Sequence, residues 1–347
     1  MIRLIAIYAV SAMAGWCCAR AGLPLPWMIG PLLTTAALAL AGVLPRPLPV
    51  RTRPFGQAIV ASTVGLSFTT EAMHAVIGKL PLLVGMAVMT AVLALCLSIL
   101  QARLAGARLS RMALATFPVA PVEAAIIAET CGIAPAPVVM AQTLRIATIV
   151  VALPLLLFAI DGPPDVIAPP VAPVVAADLV RLLPVVLLAL AGGLVFFRLG
   201  WANPFFLGPL ALTATVTAWG ASLPHIPPPL LAAAQVILGA WLGSTFQSRL
   251  LRGAAREMAI SLVGTILLLA LTTAGAILLA RVTGLNWEAV VLGTAPGGVT
   301  EMALTAQYLQ QDVALVTAAH LVRIFLLMPI ARPLIRALDR YDRRPVS

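Results

Sequence analysis

The sequence predicts an all-α, polytopic integral membrane protein: two inverted repeats of about five crossings each, with a broken or re-entrant helix in each repeat. Three observations lead there. Hydrophobic residues make up 61% of the chain and charged residues 10%, with a mean hydropathy of +1.06, whereas soluble domains run at about 45–50% apolar and about 25% charged. The stretch Pro26-Trp-Met-Ile-Gly-Pro-Leu32 returns as Pro204-Phe-Phe-Leu-Gly-Pro-Leu210. The same offset joins Arg3 to Arg181, Gly15 to Gly193, Gln57 to Gln235, Glu123 to Glu301 and Arg145 to Arg323. Finally, the basic loops of the two copies fall at different places, as an inversion requires.

Taken in chain order, apolar stretches bounded by Pro, Gly or charge give six segments in the first copy, near 2–20, 26–43, 55–69, 80–102, 110–129 and 135–160, and the second copy matches them. The first resembles a signal peptide, but Arg181 to Gly200 is the same segment inside the chain, which rejects that reading. The second carries Gly30-Pro31, repeated as Gly208-Pro209, where a missing side chain favours close helix packing. The third is short and polar, with Ser62, Thr63 and Ser67. The fourth is an apolar run that includes Cys96, the fifth is interrupted by Pro118 and Pro121, and the sixth holds Arg145 at its middle. An inverted pair needs an odd number of crossings per copy, so one segment is broken or re-entrant: the fifth by first choice, the short third as the alternative. Repeat 1 then covers 1–160 and repeat 2 covers 179–347, ending in a short basic cytoplasmic tail. Residues 161–178 between them, Pro-rich, weakly acidic and free of Lys and Arg, form an extracytoplasmic linker.

The arginines set the orientation. Arg46, Arg51 and Arg53 follow the second segment, but the matching loop from Ala221 to Pro229 holds no Lys or Arg. Lys79 alone follows the third, against Arg249, Arg252 and Arg256 in the other copy; Arg103, Arg108 and Arg111 follow the fourth, against Arg281. If basic loops face the cytoplasm, the copies sit upside down relative to each other, with both termini inside a bacterial inner membrane. The same distribution explains a net charge of +10 without nucleic acid as a partner. Cys17, Cys18, Cys96 and Cys131 show neither metal-ligand spacing nor a disulfide framework,. No metal and no cofactor are expected.

Chemistry concentrates in the fifth and sixth segments. Pro296, Gly297 and Gly298 stop a helix, and the run from Thr300 and Glu301 restarts one, so free N–H groups and the positive end of a dipole face the break. Such a helix start holds an anion, and the unwound carbonyls hold a cation; the bland reading is a loop with Thr300 as a cap. Pro118 and Glu123 are the first-copy equivalents. An ionisable side chain inside a span is usually paired or lines a water path, and Arg323 and Arg145 are the expected partners of Glu301 and Glu123, either as a helix lock or as an exchangeable pair. His320, one turn before Arg323, is a candidate proton carrier, while Gln142 takes its place in the first copy. Gln57 and Gln235 offer uncharged polar contacts. Asp312 reads as a helix N-cap rather than a site residue.

These motifs, Pro-x-x-x-Gly-Pro twice, Gln57 and Gln235 each followed by Gly and Phe, and Pro296-Gly-Gly-x-x-Glu-Met302 with Asp312, His320 and Arg323, resemble the AbrB family of bacterial membrane proteins over almost the whole chain. The first copy departs from the pattern, with Val119 and Ala120 for the glycines and Gln142 for the histidine. Members carry conflicting labels: ammonia monooxygenase, regulator of gene expression, transporter-like protein. The resemblance also extends, at fold level, to bile-acid-symporter-like and cation/proton-antiporter-like carriers with inverted five-helix repeats. It implies a secondary transporter of a small solute or ion in the bilayer, with a membrane-embedded sensor acting indirectly on gene expression as the alternative; a second copy of the chain as partner is compatible with either. A monooxygenase would need several converging ligands, and of three histidines His74 and His225 are expected in loops.

Overall fold

The computed structural model describes residues 2–162, 180–246 and 254–343. The expected linker beyond Gly162, together with Arg249 and Arg252, lies outside the described residues. All regular structure among the described residues is helical. In the first copy α1 is Ile2–Arg20, α2 Pro26–Leu40, α3 Arg53–Gly65, α4 Thr70–Gly78, α5 Leu80–Ala105, α6 Leu109–Thr116, α7 Pro121–Thr130 and α8 Pro135–Asp161. In the second, α9 is Leu183–Arg198, α10 Pro204–Ala218, α11 Pro228–Ser244, α12 Ala255–Thr283, α13 Trp287–Thr294, α14 Val299–Tyr308 and α15 Val313–Asp342.

The duplication reaches the backbone torsions. Helices α2 and α10, α6 and α13, and α7 and α14 begin and end at equivalent positions. Left-handed residues recur in register too: Gly22 and Gly200 both at φ 70°, Leu25 at 45° with Asn203 at 55°, and Gly132 at 67° with Gln310 at 55°. The last pair closes α7 and α14 by the same Schellman bonds, Ile133 N–H to Ala128 O at 2.9 Å and Gln311 N–H to Ala306 O at 2.8 Å,. Glycine takes this conformation freely, whereas another L-residue there costs about 1 kcal/mol. Exposed Gln310→Gly is therefore expected to raise the melting temperature of the purified protein, and an unchanged or lowered value would contradict the reading of the shared cap.

Among the described residues, four helices are long and apolar enough to cross a membrane: α5, α8 through Ile160, α12 and α15. These are the fourth and sixth segments of each copy. Their outer faces are what a bilayer accepts. Val84, Val88 and Val92 form one exposed stripe on α5, and Val263, Ile266, Leu271, Leu278 and Val282 line α12, at spacings that put each set on one side of its helix. The structure corrects several local expectations. Residues 70–78, expected as loop, form α4 around His74, started by Thr69, whose hydroxyl accepts from Ala72 N–H at 3.2 Å. Arg53, Arg103, Arg111, Arg256 and Arg281, assigned to loops, lie in helices.

The chain divides into two compact units, each drawing on both copies. The first contains residues 1–79, 154–245 and 303–317. Within it α1 packs on α2 as α9 packs on α10, and α11 packs on α2 as α3 packs on α10. Equivalent helices of the two copies thus exchange partners. Glycine makes the packing close. A Cβ on Gly30 would lie 2.7 Å from the Ala14 carbonyl, and one on Gly208 would collide with the Gly192 backbone. Thus the packing role expected of Gly30 and Gly208 is what they perform.

The second unit contains residues 80–153, 246–302 and 318–347. It pairs α5 with α12, α5 with α6, and α12 with α13, and crosses the copies by packing α5 on α13 and α12 on α6. An apolar cluster within it joins Leu114, Phe117, Ile127 and Val138 to Leu327, Ala331 and Ile335 of α15. Arg111 of α6 meets Glu257 of α12 at 2.7 Å, and Asp342 of α15 caps the start of α6 by accepting from Leu109 and Ser110 N–H.

Candidate functional site

In both copies the fifth segment is two short helices with a four-residue break, at 117–120 and at 295–298. The cause is local. A residue before proline is pushed out of the helical region and proline has no N–H to continue the ladder. Phe117 (φ −61°, ψ 139°) and Ala295 (φ −52°, ψ 135°) precede Pro118 and Pro296 and are both extended. Pro121 then starts α7 at a position that tolerates it,. The second copy restarts α14 after paired glycines. Thr300 lies in its first turn, buried, rather than capping it.

Stopping α6 and α13 leaves their last carbonyls without intrahelical donors. The sixth helices supply them. From α8, Gln142 Nε2 donates to Leu114 O at 2.7 Å, and Arg145 Nη1 donates to Thr116 O at 2.7 Å and Phe117 O at 3.2 Å. From α15, His320 Nε2 donates to Leu292 O at 3.0 Å, Arg323 Nη1 to Ala295 O at 2.6 Å and Arg323 Nη2 to Gly297 O at 2.7 Å. Leu114 and Leu292 are equivalent residues, so Gln142 and His320 perform one task on one carbonyl. Thr90 of α5 adds a bond to Thr294 O at 3.1 Å. That residue went unnoticed in the sequence because its counterpart is Leu268.

Two expectations are revised by this geometry. The hydrogen bonds of Arg145 and Arg323 go to the carbonyls of the breaks, where the sequence reading placed Glu123 and Glu301. His320 is a fixed donor in this conformation, not a poised proton carrier: its Nδ1 accepts from Arg323 Nη2 at 2.7 Å. A guanidinium has no acceptor, so the ring proton must sit on Nε2. A second proton would have to displace Arg323 and then share its cavity.

The copies differ around the carboxylates. The Glu301 side chain, half-buried in the first turn of α14, lies against Gly298 so closely that a Cβ there would collide with it. Ala120 carries that methyl group in the first copy, so Glu123 cannot fold back in the same way. Gly297 likewise leaves room for the buried side chain of Met302. Asp312 is the cap foreseen, its Oδ1 accepting from Leu315 N–H at 2.9 Å.

Gln57 and Gln235 are buried in the first unit, on the mutually packed α3 and α11; the breaks, Gln142, Arg145, His320, Arg323, Glu123 and Glu301 all fall in the second. Gln57, with its amide turned to suit its neighbours, donates to Asn203 Oδ1 at 3.1 Å and accepts from Arg53 at 3.2 Å.

Two comparisons place this architecture. The sequence matches the family described as "Transition state regulatory protein AbrB" over residues 27–339, a span that takes in both breaks. It is also similar to a protein of Bacillus subtilis (strain 168) described as "Uncharacterized protein YhjN", 27% identical, with 95% of this chain and 91% of that one aligned. The matched span covers most of the chain, and the chain belongs to the AbrB family.

Proposed function

We propose that the protein is a secondary transporter that moves a small solute or ion across the bacterial inner membrane by alternating access between two inverted repeats. The observation that carries this reading is the pair of broken fifth segments, one per copy, each held open by an arginine of the following helix. Non-helical backbone is tolerated at membrane depth only where protein or a water-filled path satisfies its polar groups, and carriers build their sites from such interrupted helices. Burial of residues 112–119 and 291–297 makes this conformation a closed one, which has to open for a solute to enter. Five crossings per repeat, the fifth segment counting as one broken element, cytoplasmic termini and the arginine pattern are the topology that goes with it. In this reading the protein is neither an enzyme nor dependent on a cofactor.

The test is flux. Reconstituted protein screened against organic acids, amino acids and cations should carry one of them saturably, and Glu301→Gln should abolish that flux in a protein that still folds. Unchanged flux in Glu301→Gln would remove this site from the mechanism. The family's description favours a second reading, a membrane-embedded sensor acting indirectly on gene expression. Expression effects that persist in a Glu301→Gln, Arg323→Ala variant devoid of flux would select it.

A further inference from the structure

The breaks fall in the second unit; the first has a cavity of its own, open and about 590 Å³ in volume. Its walls come from the start of α1 and from the stretch between α2 and α3. Leu4, Ile7, Leu44 and Leu48 form the apolar part, and Arg3 and Arg46 bring charge. Leu44 and Leu48 are buried members of an apolar cluster that takes in Ala39 and Ala240, with Leu4 and Ile7 packed against it. Four contacts hold the stretch in place. Gly42, at φ 78°, turns it off the end of α2, where Leu44 N–H donates to Leu38 O at 3.1 Å,. Val43 O accepts from Arg3 Nη2 at 2.7 Å, Leu48 N–H donates to Ser244 Oγ at 2.9 Å, and the Tyr8 and Thr52 hydroxyls meet at 2.8 Å. Proline at 45, 47 and 49 fixes alternate φ angles between them. The cavity is therefore formed in advance, and a ligand orders little on entering.

Charge here is of one sign. The first 70 residues carry Arg3, Arg20, Arg46, Arg51 and Arg53 and no Asp or Glu, and no acidic residue lines the cavity. Arg3 spends one N–H on Val43 O. Arg46 is exposed, with no acidic partner among the described residues. Pro224 stands at its place in the second copy, which therefore does not repeat the pair. The surface alongside is apolar. Ile5, Val43 and Val50, each next in sequence to a lining residue, are 62%, 56% and 63% exposed, and Val10 and Met13 are exposed further along α1. Guanidinium groups beside exposed apolar surface suit the boundary between a lipid phosphate layer and its acyl chains. A free anion would leave the leucine wall bare, and a zwitterionic lipid would set its own cation against the arginines.

We propose that this cavity binds one anionic phospholipid, its phosphate held by Arg3 and Arg46 and the start of an acyl chain lying against Leu4, Ile7 and Leu44. The planar fork of a guanidinium matches phosphate oxygens with charge-assisted bonds. Bound there, the lipid ties α1 to the stretch that leads into α3, so it stabilises the fold as well as coating it.

The experiment titrates the delipidated full chain, in a neutral detergent at fixed ionic strength, with dioleoyl phosphatidylglycerol, dioleoyl phosphatidylcholine or glycerol 3-phosphate. Melting temperature and native mass spectra are the readouts. Phosphatidylglycerol should raise the melting temperature saturably and remain as one tightly held lipid per chain, and the other two should do neither at the same concentration. Arg3→Gln and Arg46→Gln should each weaken its binding about fivefold, whereas Arg281→Gln, at an exposed arginine outside the cavity, should leave it unchanged. The proposal is overturned if phosphatidylcholine binds as tightly, if Arg46→Gln and Arg281→Gln behave alike, or if glycerol 3-phosphate stabilises as well as the lipid, which would make this a free-anion site. A lipid-free dimer that Arg46→Gln dissociates would give the cavity to a second copy of the chain and overturn it too.

Discussion

Replacing Arg323 with alanine is expected to destabilise the protein more than any other single change in the second unit. The side chain is buried and donates to Ala295 O, Gly297 O and His320 Nδ1. Its removal orphans two buried carbonyls, at about 1–3 kcal/mol each, for a total of about 2–6 kcal/mol. Arg145→Ala should be milder. Its bonds cluster on the end of α6, with a third contact of 3.5 Å to Ala115 O, and do not reach the middle of the break as the bond to Gly297 does. Melting of both variants in detergent checks the order. Equal and small shifts would mean that the carbonyls find water or other donors and that the arginines do not hold the breaks.

The second large effect separates shape from titration at His320. His320→Ala leaves Leu292 O without its donor and Arg323 without one of its three acceptors, and opens a cavity in a fully buried place; about 2–4 kcal/mol is expected to be lost. His320→Gln should be close to neutral, because Gln142 already donates to the equivalent Leu114 O from the equivalent position, and its amide oxygen can take over from Nδ1. The reverse change, Gln142→His, should be tolerated for the same reason. A ring held neutral in the folded state takes up its proton on unfolding, so wild-type stability should fall by up to about 1.4 kcal/mol per pH unit below about pH 6.5, and His320→Gln should lack that fall,. Profiles that superimpose down to about pH 5 would mean that His320 takes up a proton in place, and would restore the proton-carrier reading.

Much of this architecture was legible in the sequence because its causes are local. Proline at 118 and 296 stops a helix wherever it occurs, and an exact offset between the copies needs no structure to be seen. The short third segment, the alternative break, instead proves to be one continuous helix, α3. What could not be read was which donors meet which acceptors. Pairing Glu301 with Arg323 followed from charge alone, but helix ends create acceptors that carry no side-chain signature, and it is these carbonyls that take the guanidinium. The equivalence of Gln142 and His320 was hidden for the same reason: as letters they differ, while as Nε2–H donors at one distance from one backbone they coincide. Helix α4 was missed because it is short and mixed in character, started by a hydroxyl cap rather than announced by an apolar run. Thr90 gave no signal at all, since its contact crosses from the first copy to the second and its counterpart is apolar.

The account stands on the inversion of the two copies, and side-specific labelling of equivalent cysteines measures that directly. In a chain with Cys17, Cys18, Cys96 and Cys131 replaced, Arg103→Cys and Arg281→Cys place exposed thiols at matching points of α5 and α12. A membrane-impermeant maleimide applied to intact spheroplasts should label position 281 and spare position 103 until the membrane is opened. Labelling of both positions from the same side would make the copies parallel and contradict the inverted carrier.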